Sequence, residues 1–183
     1  MFGFEQPLVA FFAIGTVLTE IGIVSYLLLV LAGKKMDLPY EEKFSRFQEV
    51  IKQKYREIGF FFALIATSGS LYLSNVLAWE PCRLCWFQRI FMYPLVLIFS
   101  ISLILDKENV ADYTLPLSLV GLTIAVYHYM IQFLPALQST GCSITSVSCE
   151  ATYTFYFGHI SIPVMAAAAF GAIALVSYRK FWS

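Results

Sequence analysis

Two cysteines separated by two residues, Cys82-Arg83-Leu84-Cys85, stand directly after Pro81, and an arginine follows at Arg89. A proline suits the first turn of a helix, where its missing N–H has no intrahelical partner. Thiols at such a helix start feel its partial positive charge, which favours thiolate over thiol and promotes disulfide exchange. Cys85 is the better placed of the two to benefit. Arg89 lies four residues further on, one turn and about 6 Å along the axis, so it projects from the same face as Cys85. Two readings of Arg89 stand: it snorkels to nearby head groups, or it stabilises an anion beside Cys85. A charge in an apolar run costs up to about 3 kcal/mol unless paired or near the interface, and its place on the cysteine face favours the anion.

A second pair, Cys142 and Cys149, brackets Ser143-Ile144-Thr145-Ser146-Val147-Ser148, a polar stretch uncharged until Glu150. With Gly141 before it, this reads as a mobile loop able to present a disulfide to a partner.

The elements that must position these residues follow from composition. The chain has 183 residues, 59% hydrophobic and 13% charged, with mean hydropathy +0.73. That describes a polytopic membrane protein rather than a soluble domain. Five apolar segments, Leu8–Ala32, Ile58–Trp79, Trp86–Leu105, Thr114–Leu134 and Phe157–Tyr178, can each span a hydrocarbon core of about 30 Å. The expected fold is all-α, a membrane helical bundle. The first segment is read as a retained helix and not a signal peptide, because no Lys or Arg precedes it and its apolar core is long.

Basic residues are held back on the cytoplasmic side of a membrane. Lys34, Lys35, Lys43, Arg46, Lys52, Lys54 and Arg56 fall between spans one and two, Lys107 between spans three and four, and Arg179 and Lys180 after span five. Residues 1–7 and 135–156 contain none, and Arg83 alone breaks the pattern. The amino terminus is therefore expected outside and the carboxyl terminus inside, with all four cysteines facing the oxidising compartment.

The expected organisation is an N-terminal helix over 1–33, a basic connector over 34–57 and a four-helix core over 58–183. In the connector, Asp37 can cap a helix whose first turn holds Pro39, Glu41 and Glu42. It is either an amphipathic helix on the inner leaflet or a connector continuous with span two. Net charge is zero, and topology accounts for the basic cluster, so no nucleic-acid signature is present. Ala166 to Ala169, with Gly171, gives span five a small-residue face for a neighbouring helix.

For the cysteines, three readings compete: two structural disulfides, a zinc site of four thiolates, and a relay. Zinc is disfavoured by the oxidising compartment and the unequal spacings. Two pairs on adjacent outer loops, one of them at the lipid boundary, suit a relay by thiol–disulfide exchange that ends on a membrane-embedded two-electron acceptor.

The stretches GSLYLSN and EPCRLCWFQRIFMYPL, with the Cys142/Cys149 loop, resemble the DsbB family of disulfide bond formation proteins, most nearly its smaller Gram-positive members. The resemblance runs from about Ile58 to the end. It implies a four-helix bundle in the bacterial cell membrane that oxidises an extracytoplasmic thioredoxin-fold protein like DsbA and reduces a quinone, ubiquinone or menaquinone. It further implies that Cys142 forms the mixed disulfide with the partner, that Cys149 exchanges with Cys82, and that Cys85 meets the quinone with Arg89 near a carbonyl oxygen. His128 resembles the family's quinone-site histidine by position, although a buried structural histidine is the commoner case.

His159 is read as an interfacial hydrogen-bonding residue. Two features depart from the family pattern: the short second cysteine loop and the additional first span. That span carries Glu20, which is either protonated or bonded to the bundle; helix docking is favoured over proton transfer. The rival readings are an enzyme similar to vitamin K epoxide reductase and a non-enzymatic scaffold or transporter subunit with structural disulfides.

Overall fold

A computed structural model of the chain describes residues 7–33, 41–134, 149 and 153–181. Cys142 and the expected cap Asp37 lie outside the described residues. Among the described residues there are six α-helices: α1 (Pro7–Gly33), α2 (Glu41–Gln53), α3 (Tyr55–Leu71), α4 (Arg83–Ile104), α5 (Ala111–Phe133) and α6 (Ile162–Phe181). Five segments are long and apolar enough to cross a membrane, and the protein is a multi-pass membrane protein.

Helices α3, α4, α5 and α6 pack as a closed ring, each touching the next, and α6 touches every other helix. Helix α1 lies outside the ring against α6. Between helices in lipid the hydrophobic effect supplies little, so close approach and buried hydrogen bonds hold the bundle. The Phe99 ring of α4 fills the space where Gly59 of α3 lacks a side chain, since a Cβ there would sit 2.3 Å from the ring. Phe170 of α6 does the same at Gly121 of α5, at 2.2 Å. A hydroxyl pair, Thr114 Oγ1 and Ser177 Oγ at 2.8 Å, joins α5 to α6 in the buried interior.

At the basic end, α2 runs into α3 with its backbone ladder nearly intact, Lys54 N–H donating to Val50 and Ile58 N–H to Lys54. Arg179 donates to Gln48 of α2 at 2.8 Å, and Ile51 packs on the core. The connector is thus continuous with span two and bound to the bundle. Arg56 pairs with Asp106 at 3.0 Å and donates to the Ser102 carbonyl, and the Tyr55 hydroxyl donates to the Glu108 carbonyl.

Three boundaries differ from the sequence expectation. Span two leaves α-helical winding at Leu71 and continues as a π-turn, Tyr72–Val76. Ala78 then takes a left-handed conformation (φ 53°), and Trp79 N–H returns to the Leu73 carbonyl. Pro81 does not enter the first turn of α4; it precedes Cys82, which caps it. Span five begins at Ile162 rather than Phe157, because Tyr156 and Ile160 close a tight turn on each other through Phe157 and Gly158, both at positive φ. Pro163 takes the first-turn position where its missing N–H is harmless.

Candidate functional site

A helix start leaves its first N–H groups without partners. Here Cys82, extended at φ −68° and ψ 172°, supplies one: its Sγ accepts the Cys85 N–H at 3.4 Å. That capping geometry folds the two thiols together, and Cys82 Sγ donates to Cys85 Sγ at 3.2 Å. Donation to Cys85 and burial push the Cys82 thiol well above its ordinary range, to about 12, so it is the protonated member of the pair. Cys85 Sγ therefore accepts a hydrogen bond from its neighbour while standing in the first turn of α4.

Behind Cys82 lies a buried polar relay. His128 of α5 is 2% exposed, and its Nε2 lies 3.2 Å from the Cys149 carbonyl and 3.6 Å from Cys82 Sγ. A carbonyl only accepts, so Nε2 carries the proton, and Nδ1 of the neutral ring is left to accept from Gln88 Nε2 at 3.1 Å. His128 therefore ties the helix of the first cysteine pair to the backbone of the second. Cys82, Cys149 and Ile131 form one buried cluster, with Leu84 and Cys85 packed on it.

On the other side of Cys85 is an apolar cavity of about 340 Å³. Cys85 and Arg89 share its wall, as the four-residue spacing predicts, with Met92, Ala66, Phe62 and Ala169 among the apolar lining. Arg89 Nη2 donates to the Ser70 carbonyl of α3 at 3.2 Å, and its Cζ lies 5.1 Å from the Trp86 ring centroid. Its Nε is buried without a hydrogen-bond partner among the described residues. The guanidinium is thus turned into the bundle, not out to head groups. Trp79, placed by the π-turn, stacks on Tyr153 at 5.3 Å and 12°, and both residues line the cavity with Glu80 and Pro81. His128 does not line this cavity; it borders a smaller one with Cys82, Cys85 and Tyr153.

Ligand atoms of Cys82, Cys85 and His128 lie within 4.8 Å of one another, close enough for a metal. With its Nε2 proton committed to the Cys149 carbonyl, however, His128 offers no lone pair on that side.

A family model described as "Disulfide bond formation protein DsbB" matches residues 53–179, which takes in α3 to α5, most of α6 and the four cysteines. The chain belongs to the DsbB family. Similar proteins carry matching names. "Probable disulfide formation protein C 1" of Bacillus cereus is 40% identical over 131 residues, covering 69% of this chain and 94% of the relative. "Probable disulfide formation protein C" of Halalkalibacterium halodurans is 46% identical over 115 residues, 63% of this chain and 84% of that one. "Disulfide bond formation protein C" of Bacillus subtilis is 43% identical over 108 residues, 59% and 78% respectively. No solved structure matches the chain. Membership in the DsbB family makes this a membrane protein of disulfide bond formation, an oxidoreductase that works on a thiol–disulfide partner.

Against that family frame, sequence reasoning missed Gln88, although it sits in the motif three residues after Cys85, one turn round the helix. It also missed Ser70 and the Trp79–Tyr153 stack, whose partners are distant in sequence and left no local signal.

Proposed function

We propose that this chain oxidises the dithiol of an extracytoplasmic thioredoxin-fold protein similar to DsbA and delivers the electrons to a membrane quinone, ubiquinone or menaquinone. One observation carries the reading: Cys85 and Arg89 share an apolar cavity, while Cys82, on the other side, is buried with Cys149. The cavity fits a quinone on its chemistry, being an apolar slot with a thiol and a buried guanidinium Nε that lacks a partner. The relay occupies residues 58–183, with 34–57 as cytoplasmic connector and 1–33 as an additional helix. The distribution of basic residues supports an amino terminus outside and a carboxyl terminus inside.

The exchange conserves bonds. The partner's thiolate opens the Cys142–Cys149 disulfide at Cys142, and its second thiolate completes its own disulfide, leaving Cys142 and Cys149 reduced. Cys149 attacks Cys82 of the Cys82–Cys85 disulfide and frees Cys85; Cys142 then re-forms the Cys142–Cys149 bond and returns Cys82 as a thiol. Re-forming Cys82–Cys85 releases two electrons and two protons. A bound quinone supplies the sink for both. Arg89 places positive charge where negative charge develops, in a water-poor site where such preorganised donors count most. His128 holds the Cys149 backbone against Cys82, so the two sulfurs meet without a search.

The test uses the purified protein, a reduced thioredoxin-fold partner and a soluble quinone analogue followed by absorbance. Cys85→Ser abolishes quinone reduction; undiminished turnover overturns the relay. Arg89→Ala lowers kcat/KM for the quinone by about 100-fold, the cost of losing one preorganised donor, while mixed-disulfide formation at Cys142 keeps its rate. In Cys149→Ser, the species trapped on Cys142 identifies the partner.

A further inference from the structure

Helix α1 lies outside the residues matched by the family and outside the closed ring of α3 to α6. Nevertheless Phe11, Phe12, Gly15, Thr16 and Thr19 of α1 line the cavity that Cys85 and Arg89 share. The helix is seated on α6 through Ala13, which clusters with Ile160 and Val164, and through Ile23, whose Cδ1 comes within 3.6 Å of where a Cβ on Gly171 would be. It reaches α3 through the Phe12 ring, which lies over Gly69 at 3.4 Å from a Cβ there. Glu20 Oε2 meets His159 Nε2 at 3.1 Å, fastening α1 to the turn that precedes α6. α1 thus supplies one wall of a slot whose other walls come from α3, α4 and α6.

The slot has a direction. Its α3 wall runs from Phe61 to Ser70, about 14 Å at 1.5 Å per residue, with Cys85, Arg89 and the Trp79–Tyr153 stack toward one end. Polar groups concentrate at that end. On the α1 wall, the Thr16 hydroxyl donates to the Phe12 carbonyl and the Thr19 hydroxyl to the Gly15 carbonyl, so both are spent within the helix. At Gly15 the wall carries no side chain: the residue is exposed and a Cβ there would meet nothing within 4 Å.

Resting on the quinone reading, we propose that α1 is the wall that receives the isoprenoid tail of the acceptor, with Gly15 as the residue that leaves room for it. The ring binds at the Cys85/Arg89 end and the tail lies along Phe12, Gly15 and Thr16. The tail-side affinity of this protein is therefore set by a helix additional to the family core.

Gly15→Leu tests this with little risk to folding, since it replaces glycine by a stronger helix former where the added atoms meet open space. Gly22→Leu is the control: Gly22 lies on the same helix, is exposed like Gly15 and has equally open surroundings, but does not line the cavity. Binding to the full-length protein is read directly by quenching of tryptophan fluorescence, Trp79 lying in the cavity wall. The probes are a benzoquinone bearing two isoprene units and the same ring with a methyl group in their place.

Gly15→Leu is expected to raise Kd for the tailed quinone by about tenfold or more, because the added side chain takes the space the tail would fill, and forcing both in costs what overpacking does. The methyl quinone shifts by less than about twofold, and Gly22→Leu shifts neither beyond that, as for a remote surface change. If the tailed quinone binds the unmodified protein and Gly15→Leu leaves its Kd within about twofold, the α1 assignment falls and the slot holds a lipid acyl chain instead. Equal weakening of both quinones likewise overturns the tail assignment. If neither quinone binds the unmodified protein, the quinone reading itself fails and takes this proposal with it.

Discussion

Replacing His128 by leucine separates the two cysteine pairs without touching a sulfur. In the native protein, His128 Nε2–H donates to the buried Cys149 carbonyl at 3.2 Å and lies 3.6 Å from Cys82 Sγ, and Gln88 supports Nδ1 at 3.1 Å. Leucine has similar bulk but no donor, so the Cys149 carbonyl loses this bond and Gln88 Nε2 loses its acceptor. Removing one partner of a buried hydrogen bond costs about 1 to 3 kcal/mol. If that energy holds Cys149 against Cys82, the equilibrium constant for forming a Cys82–Cys149 disulfide drops about 5- to 150-fold. The assay is a glutathione redox titration in a Cys85→Ser, Cys142→Ser background, where Cys82 and Cys149 are the cysteines left, with the oxidised fraction read by alkylation and mass spectrometry. His128→Gln keeps an N–H donor and should recover part of the loss. A constant in His128→Leu within about twofold of the parent would refute the idea that this hydrogen bond aligns the pairs, since a change that small is what a remote substitution produces.

Packing and pH supply two further tests. A side chain at Gly121 must displace the Phe170 ring, which lies 2.2 Å from a Cβ there, so Gly121→Val should lower thermal stability by more than the about 1 to 3 kcal/mol typical of overpacking. Phe170→Ala in the same chain should recover part of it, and an unchanged Tm in the single variant would refute the fit. The hydrogen bond that His159 Nε2–H donates to the Glu20 carboxylate raises the pKa of His159 above its ordinary 6.5. The ion pair therefore contributes fully below that ordinary value and is lost as pH rises through the raised one. The Tm advantage of the native chain over His159→Gln should be present below the ordinary 6.5 and shrink as pH rises above it; a difference that does not shrink at alkaline pH would show that charge does not hold α1 here.

What the sequence determined by itself is what local chemistry encodes. Hydropathy alone marks five spans, because a helix in lipid must be apolar along its own length regardless of its neighbours. The i, i+4 relation places Cys85 and Arg89 on one face because helical periodicity is intrinsic to the chain, and both do line one cavity. The cysteine spacing and its flanking motif were enough to suggest the family.

Tertiary structure decided the contacts whose partners are far apart in the chain. It set His128 between Cys82 and Cys149, 46 and 21 residues away, and outside the wall of the cavity that Cys85 and Arg89 share. It converted the end of span two into a π-turn that stacks Trp79 on Tyr153, an outcome that single-residue propensities do not carry. It paired Glu20 with His159, 139 residues apart, and so brought the unexplained first helix against the cavity. Rings that fill glycine notches are likewise invisible in either helix alone: Gly59 and Gly121 read as ordinary small residues until Phe99 and Phe170 occupy the space they leave. A sequence displays the face of each helix, but which faces meet depends on shape complementarity between segments that the chain does not place side by side.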